Sequence, residues 1–99
     1  MAMPAARLGD TFTDGDTIAM GSGTVFVNGM PLARLGDLTT GHGPPPCFWP
    51  PVPIVAGSGS VFADGLPVAR LGDPHATHCC GPACHDAVIA VGSGNVFIG

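Results

Sequence analysis

One short segment occurs three times in this chain of 99 residues. Residues 21–37 read GSGTVFVNGMPLARLGD, and residues 57–73 read GSGSVFADGLPVARLGD. A third copy opens at Gly92 as GSGNVFIG and runs to Gly99; its missing half stands at the other end, where residues 3–10 read MPAARLGD. Joining the two ends restores a full unit. Internal repetition of this kind dictates architecture before any other signal does. An open row of units would leave its outer strands with unpaired edges, which natural sheets avoid. A closed ring of three, with the terminal segments sharing one unit, removes those edges.

Each unit carries the signals of a β-hairpin. Thr24–Val27 is a β-favouring run. Asn28-Gly29 follows it, and Asp64-Gly65 holds the same place in the next copy; both are two-residue turn signals for a type I′ hairpin. Return strands are expected over Met30–Leu35 and Leu66–Leu71, with Pro31 and Pro67 near their starts, where a missing N–H is tolerated. Arg7, Arg34 and Arg70 occupy one repeated position, from which each is expected to reach a neighbouring unit's aspartate. Val25, Phe26, Val27, Leu32 and Leu35 do not alternate cleanly, so both hairpin faces are expected to be covered, one by the threefold core and one by a partner. The fold class expected is all-β, a single domain over residues 1–99. It is a pseudo-threefold cone of three hairpins, with loops 11–20, 38–56 and 74–91 converging at one end.

Composition narrows the function. With 16 Gly and 11 Pro the chain has turn-rich content, and the fixed places of the glycines argue for turns rather than disorder. The formal charge is −4 and the only basic residues are three arginines, one per unit, so no phosphate-tracking surface exists and nucleic acid is not expected as a partner. The start lacks the basic and apolar regions of a signal peptide, and no apolar run approaches membrane-spanning length. The expected location is therefore the cytoplasm until some other route exports the chain. Four cysteines in such a compartment favour metal or redox chemistry over structural disulfides.

All histidines and cysteines fall in the two long loops: His42 and Cys47 in the second, His75, His78, Cys79, Cys80, Cys84 and His85 in the third. Mixed imidazole and thiolate donors converging at one end read as a structural zinc site. Adjacent residues seldom bind one ion, which leaves a choice among Cys79, Cys80 and Cys84, with Cys47 also available. A disulfide framework is the second reading, and a catalytic Cys–His pair, without a recognisable nucleophile context, the third. Asp14-Gly15-Asp16 in the first loop reads as a solvated turn or as a carboxylate donor at the same end. The stretch PPPCFWPPVP (residues 44–53) reads as a stiff strap, with Phe48 and Trp49 packing over the loop end.

The segments Pro4-Ala5-Ala6-Arg7, Pro31-Leu32-Ala33-Arg34 and Pro67-Val68-Ala69-Arg70, each followed by Leu-Gly-Asp, together with the Gly-Ser-Gly-x-Val-Phe segments, resemble the PAAR-repeat proteins. That resemblance spans nearly the whole chain. It implies a conical tip, not an enzyme, that caps the trimeric β-helical spike of a type VI secretion system or of a contractile phage tail. It implies a partner of VgrG type, one chain per trimer, with effectors as further partners, and ejection toward a target cell whose membrane is met only during puncture. It also implies one structural zinc ion held by three histidines and a cysteine. By position His42, His78 and His85 are the histidine ligands, and Cys80 and Cys84 are the cysteine candidates. Asp14 stands where many members carry a histidine ligand, and His75 is a spare. The chain is expected to be a bare tip without a toxin domain. A free-standing zinc or thiol module is the alternative outside this class.

Overall fold

The structure, a computed structural model, describes residues 2–99. No helix occurs among them; the regular elements are four two-stranded antiparallel ladders. Strand β1 (Met3–Pro4) pairs with β8 (Phe97–Ile98), β2 (Phe26–Val27) with β3 (Met30–Pro31), β4 (Phe62–Ala63) with β5 (Leu66–Pro67), and β6 (His78–Cys80) with β7 (Ala83–His85). The first three ladders are the three repeat units. The pairs Met3↔Ile98 and Pro4↔Phe97 close the ring through the split copy, as the repeat requires. Asn28 (φ 55°) with Gly29 (φ 79°), and Asp64 (φ 52°) with Gly65 (φ 78°), form the left-handed turns that their sequences announce.

The return strands are much shorter than expected. The Leu32 N–H still bonds to Val25 O inside its unit, but the Ala33 N–H leaves for Ala6 O of the split copy, 2.9 Å away. Ala6 N–H in turn reaches Ala69 O at 3.1 Å, and Ala69 N–H reaches Ala33 O at 3.0 Å. The three bonds form a closed cycle about the pseudo-threefold axis, and all three alanines are 0% exposed. Only a methyl fits where three backbones converge this closely. The chain therefore abandons its own hairpin at the alanine and pairs with its neighbour instead.

The core is built in threefold layers around that cycle. On the hairpin side lie Ala5, Leu32 and Val68 with Val27, Ala63 and Ile98; on the loop side lie Ile18, Ile54 and Ile89. The first glycine of each Gly-Ser-Gly is a close approach rather than a turn. A Cβ on Gly21, Gly57 or Gly92 would lie 2.8–3.0 Å from the proline side chain of its own unit's return strand. The outer hairpin face is open: Phe26, Phe62 and Phe97 are each more than half exposed, while Val27, Ala63 and Ile98 beside them are buried.

The arginines lock the ring. Each binds the aspartate three residues on, and its free Nη1 crosses to the turn of the next unit. Arg34 meets Asp64 at 2.8 Å, Arg7 meets Asn28 Oδ1 at 3.0 Å, and Arg70, where the split copy has no such turn residue, meets the Gly99 carbonyl at 3.0 Å. Ser22 and Ser93 add hydroxyl bonds to Asp64 and Asn28.

Substituting Ala33→Leu should overpack the axis. A loss of about 1–3 kcal/mol, or more at a site this closed, is expected. At roughly 4–8 °C per kcal/mol for a domain of this size, thermal unfolding should show the fall clearly.

Candidate metal centre at the loop end

The three loops leave the isoleucine layer at the same end and are tied to one another at their bases. Backbone bonds join Thr13 N–H to Val88 O, Thr40 N–H to Thr17 O and Ala76 N–H to Pro53 O. Beyond that layer the loops differ. The first is a tight turn: Gly15 has φ 89°, its N–H bonds to Phe12 O, and Asp14 Oδ1 accepts the Asp16 N–H at 3.0 Å. That bond aims the other carboxylate oxygen of Asp14 inward.

In the second loop His42 and Trp49 exchange both backbone bonds, 3.0 and 2.7 Å. The indole stacks on the His42 ring at 5.2 Å and donates its N–H to Ala83 O at 3.1 Å. Trp49 thus performs the strapping expected of it, whereas Phe48 is half exposed. In the third loop β6 and β7 turn through Gly81 (φ 58°), which sets His78 directly opposite His85 and Cys79 opposite Cys84.

These three supports bring four donors together. The Nε2 atoms of His42, His78 and His85 lie 2.9–3.1 Å from one another. Asp14 Oδ2 lies 3.2, 3.5 and 3.0 Å from the same three nitrogens. Hydrogen bonds cannot account for so dense a set. His78 Nδ1 sits 2.8 Å from Pro50 O, a pure acceptor, so Nδ1 carries the proton and Nε2 turns a lone pair to the centre. Burial pushes the Asp14 carboxyl up, but the Asp16 N–H and the bond with His75 outweigh it and hold it at about 2, so it is ionised. An anion and three imidazole nitrogens at these separations could hold a cation.

His42, His78 and His85 therefore meet. Cys80 and Cys84 do not join them. Cys80 is bonded to Cys47 and Cys84 to Cys79, and no free cysteine exists among the described residues. Backbone placement is the reason. Cys79 and Cys84 are cross-strand partners with Cα atoms 4.1 Å apart, and Cys47 and Cys80 lie at 5.5 Å, within bonding reach in both cases. A sulfur so bonded offers no thiolate. Asp14 holds the fourth corner in place of a cysteine. His75 is not idle: its Nδ1 lies 2.7 Å from Ala76 O and its Nε2 2.9 Å from Asp14 Oδ2, with the Phe12 ring packed on it at 4.8 Å.

A family model described as the PAAR motif matches residues 1–44 and 47–99. No curated protein matches the chain. The chain belongs to the PAAR-motif family, the family of secretion-system and phage spike tips.

The two disulfides should contribute unequally. Cys47–Cys80 closes a sequence separation of 33 residues and Cys79–Cys84 one of 5. Loop-closure entropy gives roughly 3–4 kcal/mol for the first and about 2 kcal/mol for the second. Denaturant unfolding of the paired variants Cys47→Ala with Cys80→Ala, and Cys79→Ala with Cys84→Ala, should rank them in that order.

Proposed function

We propose that this protein caps the blunt end of a trimeric β-helical spike of VgrG type, one chain per trimer, and serves as the hard point of the assembly. The observation that carries this reading is the hairpin end. Phe26, Phe62 and Phe97 occupy the same position in three units, each opposite a proline (Pro31, Pro67 and Pro4), and all stay exposed. Large aromatic side chains repeated about a threefold axis are what three identical partner chains would bury, and aromatics dominate interface energetics. A single chain with internal threefold repetition can meet a symmetric trimer without losing its own asymmetry at the other end. Its dimensions, 37 × 23 × 23 Å, suit a short cone.

The ion at the loop end is zinc in this reading. Zinc bonds of about 2.0–2.1 Å to nitrogen and oxygen place tetrahedral ligands roughly 3.3 Å apart, against the 2.9–3.5 Å found among His42, His78, His85 and Asp14. Imidazole with one carboxylate is a donor set that zinc accepts. When bound, zinc supplies cross-links, joining all three loops above a thin core. Zinc binding in small folded sites is worth on the order of 10 kcal/mol. Assembly in the cytoplasm followed by ejection toward a target envelope fits such a part, as does the tail tip of a contractile phage. The chemistry of the tip is the same in both.

Two experiments test the reading. Mixed with a trimeric spike protein, the chain should elute as one copy per trimer in size-exclusion chromatography with light scattering. The variant Phe26→Asp, Phe62→Asp, Phe97→Asp should lose at least ~100-fold in affinity, since buried aromatic anchors cost 2 kcal/mol or more each. Unchanged binding by that variant overturns the docking face. Separately, the purified protein should hold at least one zinc per chain. A strong chelator should lower its melting temperature, and His42→Ala with His85→Ala should reduce that chelator response.

A further inference from the structure

Equivalent positions of the three copies occupy equivalent layers, so a departure from the repeat marks a place where symmetry has been given up. Two residues after each Gly-Asp stand Phe12, Thr39 and His75, and each bonds across its loop base to Asp16, Val52 and Ala87 respectively. His75 thus takes the place of a phenylalanine and a threonine, and Asp16 that of a valine and an alanine. Both are buried, at 1% and 0% exposure. In a layer whose counterparts are neutral, these are the two ionisable side chains, and they come together. One carboxylate oxygen each of Asp14 and Asp16 and ring nitrogens of His75 and His78 lie within 4.8 Å of one another.

From this juxtaposition we propose that Asp14, Asp16 and His75 form a second divalent-cation site, joined to the first through the Asp14 carboxylate; the proposal rests on Asp14 serving the first ion. His75 shows the need. Its Nδ1 faces the Ala76 carbonyl at 2.7 Å and therefore holds a proton, so in the neutral imidazole the Nε2 lone pair would face the Asp14 carboxylate at 2.9 Å. Two acceptors at that distance require a positive centre beside them. A proton on Nε2 would satisfy Asp14 alone. It would leave Asp16, whose Oδ1 takes the Thr17 N–H and the Thr40 hydroxyl while Oδ2, fully buried, has no partner. An unpartnered buried carboxylate oxygen is costly. A divalent ion serves both acids and the imidazole. The first ion cannot do so, because no single set within 4.8 Å holds all four histidines. Carboxylate-linked pairs of ions about 3.5–4 Å apart are a known arrangement, and this one would tie the first loop to the base of the third.

The test is metal stoichiometry on the full chain, stripped with chelator, reloaded with Zn²⁺ and dialysed. Wild type should retain two zinc ions per chain by mass spectrometry of the metal. Asp16→Val, which installs the residue that Val52 already provides at the same position, should fold and retain one. His75→Gln should also retain one. Titration should show the weaker step lost altogether in both variants, beyond the ~10–100-fold weakening expected when a mere outer partner of a ligand is removed. One ion in wild type overturns the second site and leaves the first standing. None overturns both, and two ions in Asp16→Val overturns the choice of ligands.

Discussion

The cycle of three backbone bonds through Ala6, Ala33 and Ala69 is the contact on which the remaining structure hangs. Each alanine donates to the preceding unit and accepts from the following one, so no unit is complete without its neighbours. The sheets here are only two residues deep per hairpin, too little to stand alone. Closure supplies what strand length does not. Because the cycle fixes the three units at one height, the leucine and valine layer falls on one side and the isoleucine layer on the other. The arginine forks and serine hydroxyls then lock each hairpin turn against the neighbouring unit at the rim. The nick between chain ends falls at the third turn, where the Gly99 carbonyl substitutes for the missing side chain.

Threefold order stops one layer above the isoleucines, and the reason is loop length. The first loop has room only for a turn, the second for a proline-rich strap and the third for a hairpin. None can build an apolar core, so polar fasteners replace it. The disulfide Cys47–Cys80 and the Trp49 indole join the second loop to the third, and Cys79–Cys84 braces the hairpin that carries His78 and His85. The first loop has no cysteine. It reaches the others through Asp14, which is why a carboxylate rather than a thiolate completes the donor set.

Much of this was legible in the residues. Asn28-Gly29 and Asp64-Gly65 named their turns, the split copy named the closing strand pair, and the resemblance to the PAAR-repeat proteins singled out His42, His78 and His85. What stayed hidden depended on distances between loops. Strand ends were misjudged because the transfer of Ala33 to Ala6 is a property of the ring, and no local propensity reports it. Thiols and disulfides look alike in sequence; Cys84 pairs because its hairpin register sets it opposite Cys79, and register was not readable from a loop without alternation. Asp14 was visible as a carboxylate at the right end but could not be told from a solvated turn until Asp16 N–H was seen to aim it. Gly21, Gly57 and Gly92 recur as regularly as the turn glycines, yet what they permit is close approach of a proline, which no single-sequence signal distinguishes.

The two ends of the molecule therefore answer to different physics. At the hairpin end, surplus apolar surface remains outside: three phenylalanines sit beside three buried residues on strands that could have tucked them in only by shifting register, which would expose Val27, Ala63 and Ile98 instead. The exposure is thus written into the same alternation that makes the core, and it repeats about the pseudo-threefold axis. At the loop end, three imidazole nitrogens and a carboxylate oxygen converge at hydrogen-bond distance in greater number than their protons can pair, an arrangement that could hold a cation. The exposed phenylalanines at the base and the converging donors at the loop end are built from different residues, so either end can be altered without touching the other.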